Sequence, residues 1–132
     1  MMRYALAPAA VLATAAICLL AMTHAALAQE GNADAGKKVF AKCQVCHTIE
    51  AGKNKIGPSL HGVVGRKSAS IEGFAYSDAM KNANVTWDEA TLDKYLTNPR
   101  QMVPGTKMIF PGLPKAEDRA NVIAYLKQAG AQ

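Results

Sequence analysis

The sequence predicts an all-α domain in which a few short helices carry long irregular loops folded over a bound group. Three observations predict it. Apolar residues recur at helical spacing in three separate segments. No segment alternates like a strand for long, and only "SLHGVVG" (59–65) reads as a short extended piece. Two Gly- and Pro-bearing stretches, 49–73 and 100–114, are far longer than ordinary connections, and loops of that length in a small domain usually wrap something. The 132 residues hold one domain at most, and the chain shows no internal repeat.

Part of that length is set aside at the N-terminus. Arg3 precedes an almost uncharged run from Ala5 to Ala28 that ends Ala26-Leu27-Ala28, a basic start, apolar centre and A-x-A site. This is the pattern of a cleaved secretory signal, residues 1–28, leaving a domain of residues 29–132. An uncleaved anchor is the rival, but such an anchor needs about 20 strongly apolar residues. This run is Ala-rich, broken by Pro8 and carries His24. Cleavage removes Cys18 and His24, and Ile17 ahead of Cys18 is not the small residue a lipidated cysteine wants. Without Arg3 the 15 basic residues become 14 against 10 acidic ones, a formal +4.

The helices follow in order. In "NADAGKKVFAKCQVCH" Gly36, Val39, Phe40, Cys43 and Cys46 lie on one helical face, with Asn32 or Asp34 as cap. "TWDEATLDKYLTNP" starts with Thr86 and Glu89 in capping-box spacing, buries Leu92, Tyr95 and Leu96, and stops at Asn98-Pro99. The last helix is predicted at about 117–128. Glu117 and Asp118 suit its N-terminus, Lys127 its C-terminus, and Val122, Ile123, Tyr125 and Leu126 its packing face.

The chemistry centres on Cys43-Gln44-Val45-Cys46-His47. A structural zinc site wants four ligands, and beyond this cluster the domain offers only His61. A thioredoxin-like dithiol belongs at a helix start in a βαβ setting, which is missing. A disulfide across so short a loop constrains the unfolded chain little. Covalent haem attachment meets every constraint: two thiols add to the two vinyl groups, and the adjacent His47 becomes an axial ligand of the iron. Such a group also supplies the core that about 100 residues struggle to build alone.

The sixth position is then either open or filled by His61, Met80, Met102 or Met108. Methionine is most often core filler. Met108 stands out by its context, "VPGTKMIFPG", where Pro104 and Pro111 stiffen the loop and Gly105 and Gly112 let it turn. A thioether there favours the ferrous state and raises the potential.

The segments "FAKCQVCHTIE", "GPSLHGVVGRKS", "GFAYSDA", "TWDEATLDKYLTNP", "PGTKMIFPGL" and "VIAYLK" resemble a class I cytochrome c, a small soluble bacterial periplasmic carrier close to the mitochondrial type, over residues 31–132. The resemblance implies the cytochrome c fold, three main helices plus loops around one covalent haem c. It implies Cys43 and Cys46 as attachment points and His47 and Met108 as iron ligands. It places the Pro58 carbonyl on the His47 ring, Arg66, Tyr76 and Trp87 about the haem propionates, Tyr95 near the Met108 sulfur and Thr106 near a propionate. It sets Gly36 and Phe40 against Tyr125. The chain departs from the mitochondrial pattern at Met80, in place of asparagine, and at Asn54, in place of histidine. His61 reads as a loop histidine.

With both axial positions filled, the expected function is one-electron transfer by Fe(III)/Fe(II) cycling, not enzymatic catalysis. Lys42, Lys53, Lys55, Arg100, Lys107 and Lys115 flank the expected crevice and would steer acidic redox partners. The resemblance implies acidic redox partners such as a cytochrome bc complex, a terminal oxidase or a photosynthetic reaction centre, met transiently at a membrane surface by a periplasmic monomer; respiration, photosynthesis and denitrification all use such carriers. A peroxidase or detached dehydrogenase domain would need an open position and a polar distal group. Nucleic-acid binding lacks both a motif and interleaved aromatics.

Overall fold

The computed structural model describes residues 30–132; the expected signal segment lies outside them. Among the described residues five helices run in order: α1 (Ala33–Phe40), α2 (Asp78–Ala83), α3 (Glu89–Thr97), α4 (Pro99–Met102) and α5 (Ala116–Ala129). Among the described residues there is no strand, only an isolated bridge between Lys67 and Thr86. The all-α expectation is borne out. The extended piece expected at 59–65 is instead a run of turns.

Asn32 caps α1, its side chain accepting from the Ala35 N–H at 2.9 Å, while its own N–H donates to Asn121 Oδ1 on α5 at 2.7 Å. The two helices then cross backbone to backbone. A Cβ on Gly36 would stand 1.9 Å from the Asn121 carbonyl oxygen, so only glycine permits this approach. One turn later Phe40 and Tyr125 pack with ring centroids 5.3 Å apart. The expected meeting of Gly36 and Phe40 with Tyr125 is thus present.

Helix α1 is shorter than its apolar spacing suggests. After Phe40 the bonding becomes mixed: Lys42 N–H to Val39, Cys43 N–H to Phe40 and Cys46 N–H to Cys43 carbonyls span three residues at 2.8–3.1 Å, interleaved with four-residue bonds from Gln44 to Phe40 and His47 to Cys43. Residues 41–46 are therefore turns, and the two cysteines leave the helix axis. Periodicity does not separate three-residue from four-residue hydrogen bonding over one or two turns.

Helix α3 also starts later than expected. Its cap is Asp88, accepting from the Thr91 N–H at 2.7 Å, and that bond holds the carboxyl below the usual aspartate range. Thr86 is extended instead, because Trp87 is buried and exchanges backbone hydrogen bonds with Gly65 and Arg66, each at 2.8 Å. Asn98 closes α3 and caps α4 through the Gln101 N–H at 3.1 Å, with Pro99 at the first helical position. Helix α2, capped by Ser77, carries no buried residue, so no apolar stripe announces it.

The core joins Phe40 of α1, Val63 and Trp87 of the loops, Leu92 and Tyr95 of α3, and Val122, Ile123 and Leu126 of α5. Gly36→Ala forces α1 off α5 and is expected to cost about 3 kcal/mol, in line with overpacked cores. Urea unfolding of the haem-loaded protein checks this; an unchanged midpoint would contradict so close a crossing.

Candidate functional site

The turns after α1 set Cys43 and Cys46 half-buried and unbridged. Burial pushes the Cys43 thiol up, and the charge of Lys42 partly offsets this. Next in the chain, His47 is fixed on one edge by the Pro58 carbonyl, 2.8 Å from Nδ1. A carbonyl can only accept, so Nδ1 carries the proton and Nε2 keeps its lone pair. Burial holds the imidazole below its ordinary pKa. The Pro58 carbonyl opposes this, while Lys55 and Arg66 add to it. The ring is therefore a neutral donor, the form a metal requires.

The Pro58 contact depends on its neighbour. A Cβ at Gly57 would stand 2.3 Å from His47 Cε1, so the loop backbone lies directly on the imidazole. Gly57 N–H also donates to the Cys46 carbonyl at 2.8 Å. Further along, Asn54 Oδ1 accepts from the Ser59 N–H at 2.9 Å, and Ser59 donates to the Glu50 carbonyl at 2.6 Å. Asn54 thus bridges the loop.

Met108 sits on the second long loop, half-buried against the core. The Tyr95 hydroxyl lies 4.0 Å from its sulfur, and the Thr106 hydroxyl accepts from its N–H at 3.3 Å. Tyr95 is buried against Trp87 with centroids 4.8 Å apart. Burial raises its pKa, and a hydrogen bond from Thr106 offsets part of the rise. Tyr95, Thr106 and Met108 are thereby brought together. Met80 and Met102 also pack on the core, but among the described residues no hydroxyl bonds to either sulfur.

Arg66 donates to the His61 and Ser59 carbonyls at 2.9 and 3.1 Å. Burial lowers its pKa, and nearby Tyr76 opposes that. Tyr76 itself accepts from the Ile71 N–H at 3.3 Å and meets Phe74 edge-on. Among the described residues no carboxylate lies within 4.0 Å of Arg66. A part-buried cation with only carbonyl partners is suited to an acid group supplied from outside the chain. His61 Nδ1 lies 3.2 Å from the Ile49 carbonyl. A groove of about 640 Å³ between α1, α5 and the Ile49–Ala51 turn is lined by His61 but by neither cysteine, His47 nor any of the candidate methionines.

Sequence reasoning missed the contact of Gly57 with the His47 ring. It also missed the Asp93–Arg119 pair behind the Met108 loop, with Nε 2.7 Å from Oδ1. Gly57-Pro58 is visible in the sequence, but its contact with His47 is not. Asp93 and Arg119 carry no local signal across 26 residues.

An all-α chain with two unbridged thiols in a tight turn, a neutral imidazole beside them and a cation awaiting an acid group is built to hold a haem covalently. The comparisons place it more narrowly. The family model described as Cytochrome c matches residues 33–130. Cytochrome c2 of Rhodoblastus acidophilus is 61% identical over 99 residues, covering 74% of this chain and 92% of that protein. Cytochrome c-554 of Methylosinus trichosporium is 50% identical over 121 residues, 91% of this chain and 92% of its own. The solved structure of cytochrome cH from Methylobacterium extorquens superposes with a TM-score of 0.71 at 48% identity, covering 74% of this chain and 99% of that one. The chain belongs to the cytochrome c family. It is an electron carrier rather than an enzyme and bears one c-type haem on the Cys43/Cys46 pair.

Gly57→Ala is expected to push the His47 ring off Pro58 and to lower covalent haem loading to well under half of the wild-type level. Haem absorbance per mole of purified chain measures it; full loading would contradict the contact.

Proposed function

We propose that the protein is a soluble, periplasmic one-electron carrier whose iron is held by His47 Nε2 and Met108 Sδ, exported by residues 1–28 and working as a monomer. The observation that carries the reading is the pairing of Tyr95 with the Met108 sulfur at 4.0 Å, which singles out one of the three methionines in the described residues. When bound, the haem supplies a one-electron Fe(III)/Fe(II) couple.

The rest is the work of the chain. His47, pinned through Pro58, keeps its ring direction and basicity in both redox states. Met108 would be the second protein group to hold the iron, and a site with both His47 and Met108 engaged would have no place for substrate. Tyr95 and Thr106 restrain the loop that carries Met108. Arg66, with Tyr76 and Trp87 close by, would receive a haem carboxylate and spare it an unpaired burial. Because the ligands need not rearrange, little structural work accompanies each electron.

Partner choice is electrostatic. Lys42, Lys55, Arg100, Lys107 and Lys115 are exposed, with no acidic group within 4.0 Å among the described residues, whereas Lys53 is paired with Glu50. Val45, Ile56 and Ile109 are exposed large apolar residues on the same site-forming segments. Basic groups among small apolar contacts suit brief docking with an acidic partner: a cytochrome bc complex, a terminal oxidase or a photosynthetic reaction centre.

Two outcomes test this reading. Met108→Ala is expected to abolish the weak far-red band of oxidised, thioether-ligated haem, whereas Met102→Ala keeps it; the reverse pattern would assign the wrong methionine. Lys107→Glu is expected to slow association with an acidic redox partner several-fold at low salt, the difference closing as salt screens it. Stopped-flow electron transfer measures it, and a salt-independent rate would contradict steering.

A further inference from the structure

The Met108 loop runs from α4 to α5, and its far end is fastened to α3. Leu113 is 1% exposed, and its N–H donates to the Leu96 carbonyl of α3 at 2.7 Å. Gly112, at φ +102°, lets the loop reach α3; a Cβ there would stand 2.3 Å from the Thr97 oxygen. Arg119 in the first turns of α5 then spans the junction. Its Nη1 donates to the Leu113 and Pro114 carbonyls at 2.9 and 3.1 Å, and its Nε to Asp93 of α3 at 2.7 Å. The guanidinium is mostly enclosed, with 12% of the Arg119 side chain exposed.

We propose that Arg119 is a positioning residue for the distal ligand, fastening the loop end to α3 so that Met108 stays opposite His47; this rests on the Met108 reading above. The geometry explains why arginine is present. Three oxygens on two elements are held by one rigid fork, which an ammonium cannot span at once. It also explains the choice of α3 as anchor, because the same helix carries Tyr95, whose hydroxyl reaches the Met108 sulfur. Only residues 109–112 separate Met108 from the fastened Leu113, and Pro111 and Gly112 are two of them. Slack at Leu113 passes directly to the thioether. The clamp sets how often the loop opens, and an outside ligand binds in proportion to the open fraction.

The test uses oxidised, haem-loaded protein with imidazole as the competing ligand. Arg119→Gln is expected to bind imidazole about tenfold more tightly, as a roughly tenfold rise in open fraction dictates. Its far-red band persists without imidazole, and the Leu113 amide exchanges faster. Asp93→Asn, which keeps both carbonyl bonds, shifts affinity the same way by less and decides the matter if Arg119→Gln loads no haem. Wild-type imidazole affinity overturns the proposal, even in a variant of lower melting temperature, because Arg119 would then be merely structural. Met108→Ala separates the two claims. If it leaves imidazole affinity unchanged, Met108 is not the ligand. Faster Leu113 exchange in Arg119→Gln still reports the clamp.

Discussion

Backbone contact between α1 and α5 at Gly36 is the constraint on which the rest of the structure depends. With no side chain at position 36, the first helix lies against the Asn121 carbonyl. Asn32 ties the start of α1 to the Asn121 side chain, and Phe40 packs on Tyr125 at its end. The turns bearing Cys43, Cys46 and His47 begin where α1 stops, so the crossing places the attachment site. The N-terminal turns of α5 carry Arg119, which holds the far end of the Met108 loop. Both candidate axial ligands are thus referred to one helix pair, although 61 positions separate them in sequence.

Between those fixed points the chain is poor in core. The long segments from Thr48 to Tyr76 and from Val103 to Lys115 contribute only Val63, Val103 and Leu113 as buried hydrophobics. They are held mostly by polar bonds, such as Asn54 to Ser59, Ser59 to Glu50 and Arg66 to two carbonyls. Covalent haem supplies apolar surface for such loops to enclose, and two thioether links cannot be lost by simple dissociation. Structure and redox site are then one construction: the group that carries the electron also completes the core.

The parts legible in the sequence were those with local signatures. Cys43, Cys46 and His47 are contiguous; α5 announces itself by charge at both ends and an apolar face; Asn32 caps α1 as its residue type suggests. Less legible were boundaries decided by tertiary burial. Trp87 draws Thr86 into extended backbone and moves the cap to Asp88, and the turns after Phe40 keep an apolar spacing without keeping the helix. Least legible were contacts between distant residues without a motif, Gly57 on the His47 ring and Arg119 on Asp93. The pairing of Tyr95 with Met108 came from family resemblance, not from spacing.

The central claim is that one methionine, Met108, lies directly over the haem and bonds its iron. Proton NMR of the reduced protein tests it most directly, because the porphyrin ring current shields a methyl group held over its face. The account predicts a single methionine methyl resonance shifted far upfield, assigned to position 108 by selective labelling and residue replacement. A spectrum in which every methionine methyl keeps its ordinary position, or in which the shifted one belongs to Met80 or Met102, would contradict it.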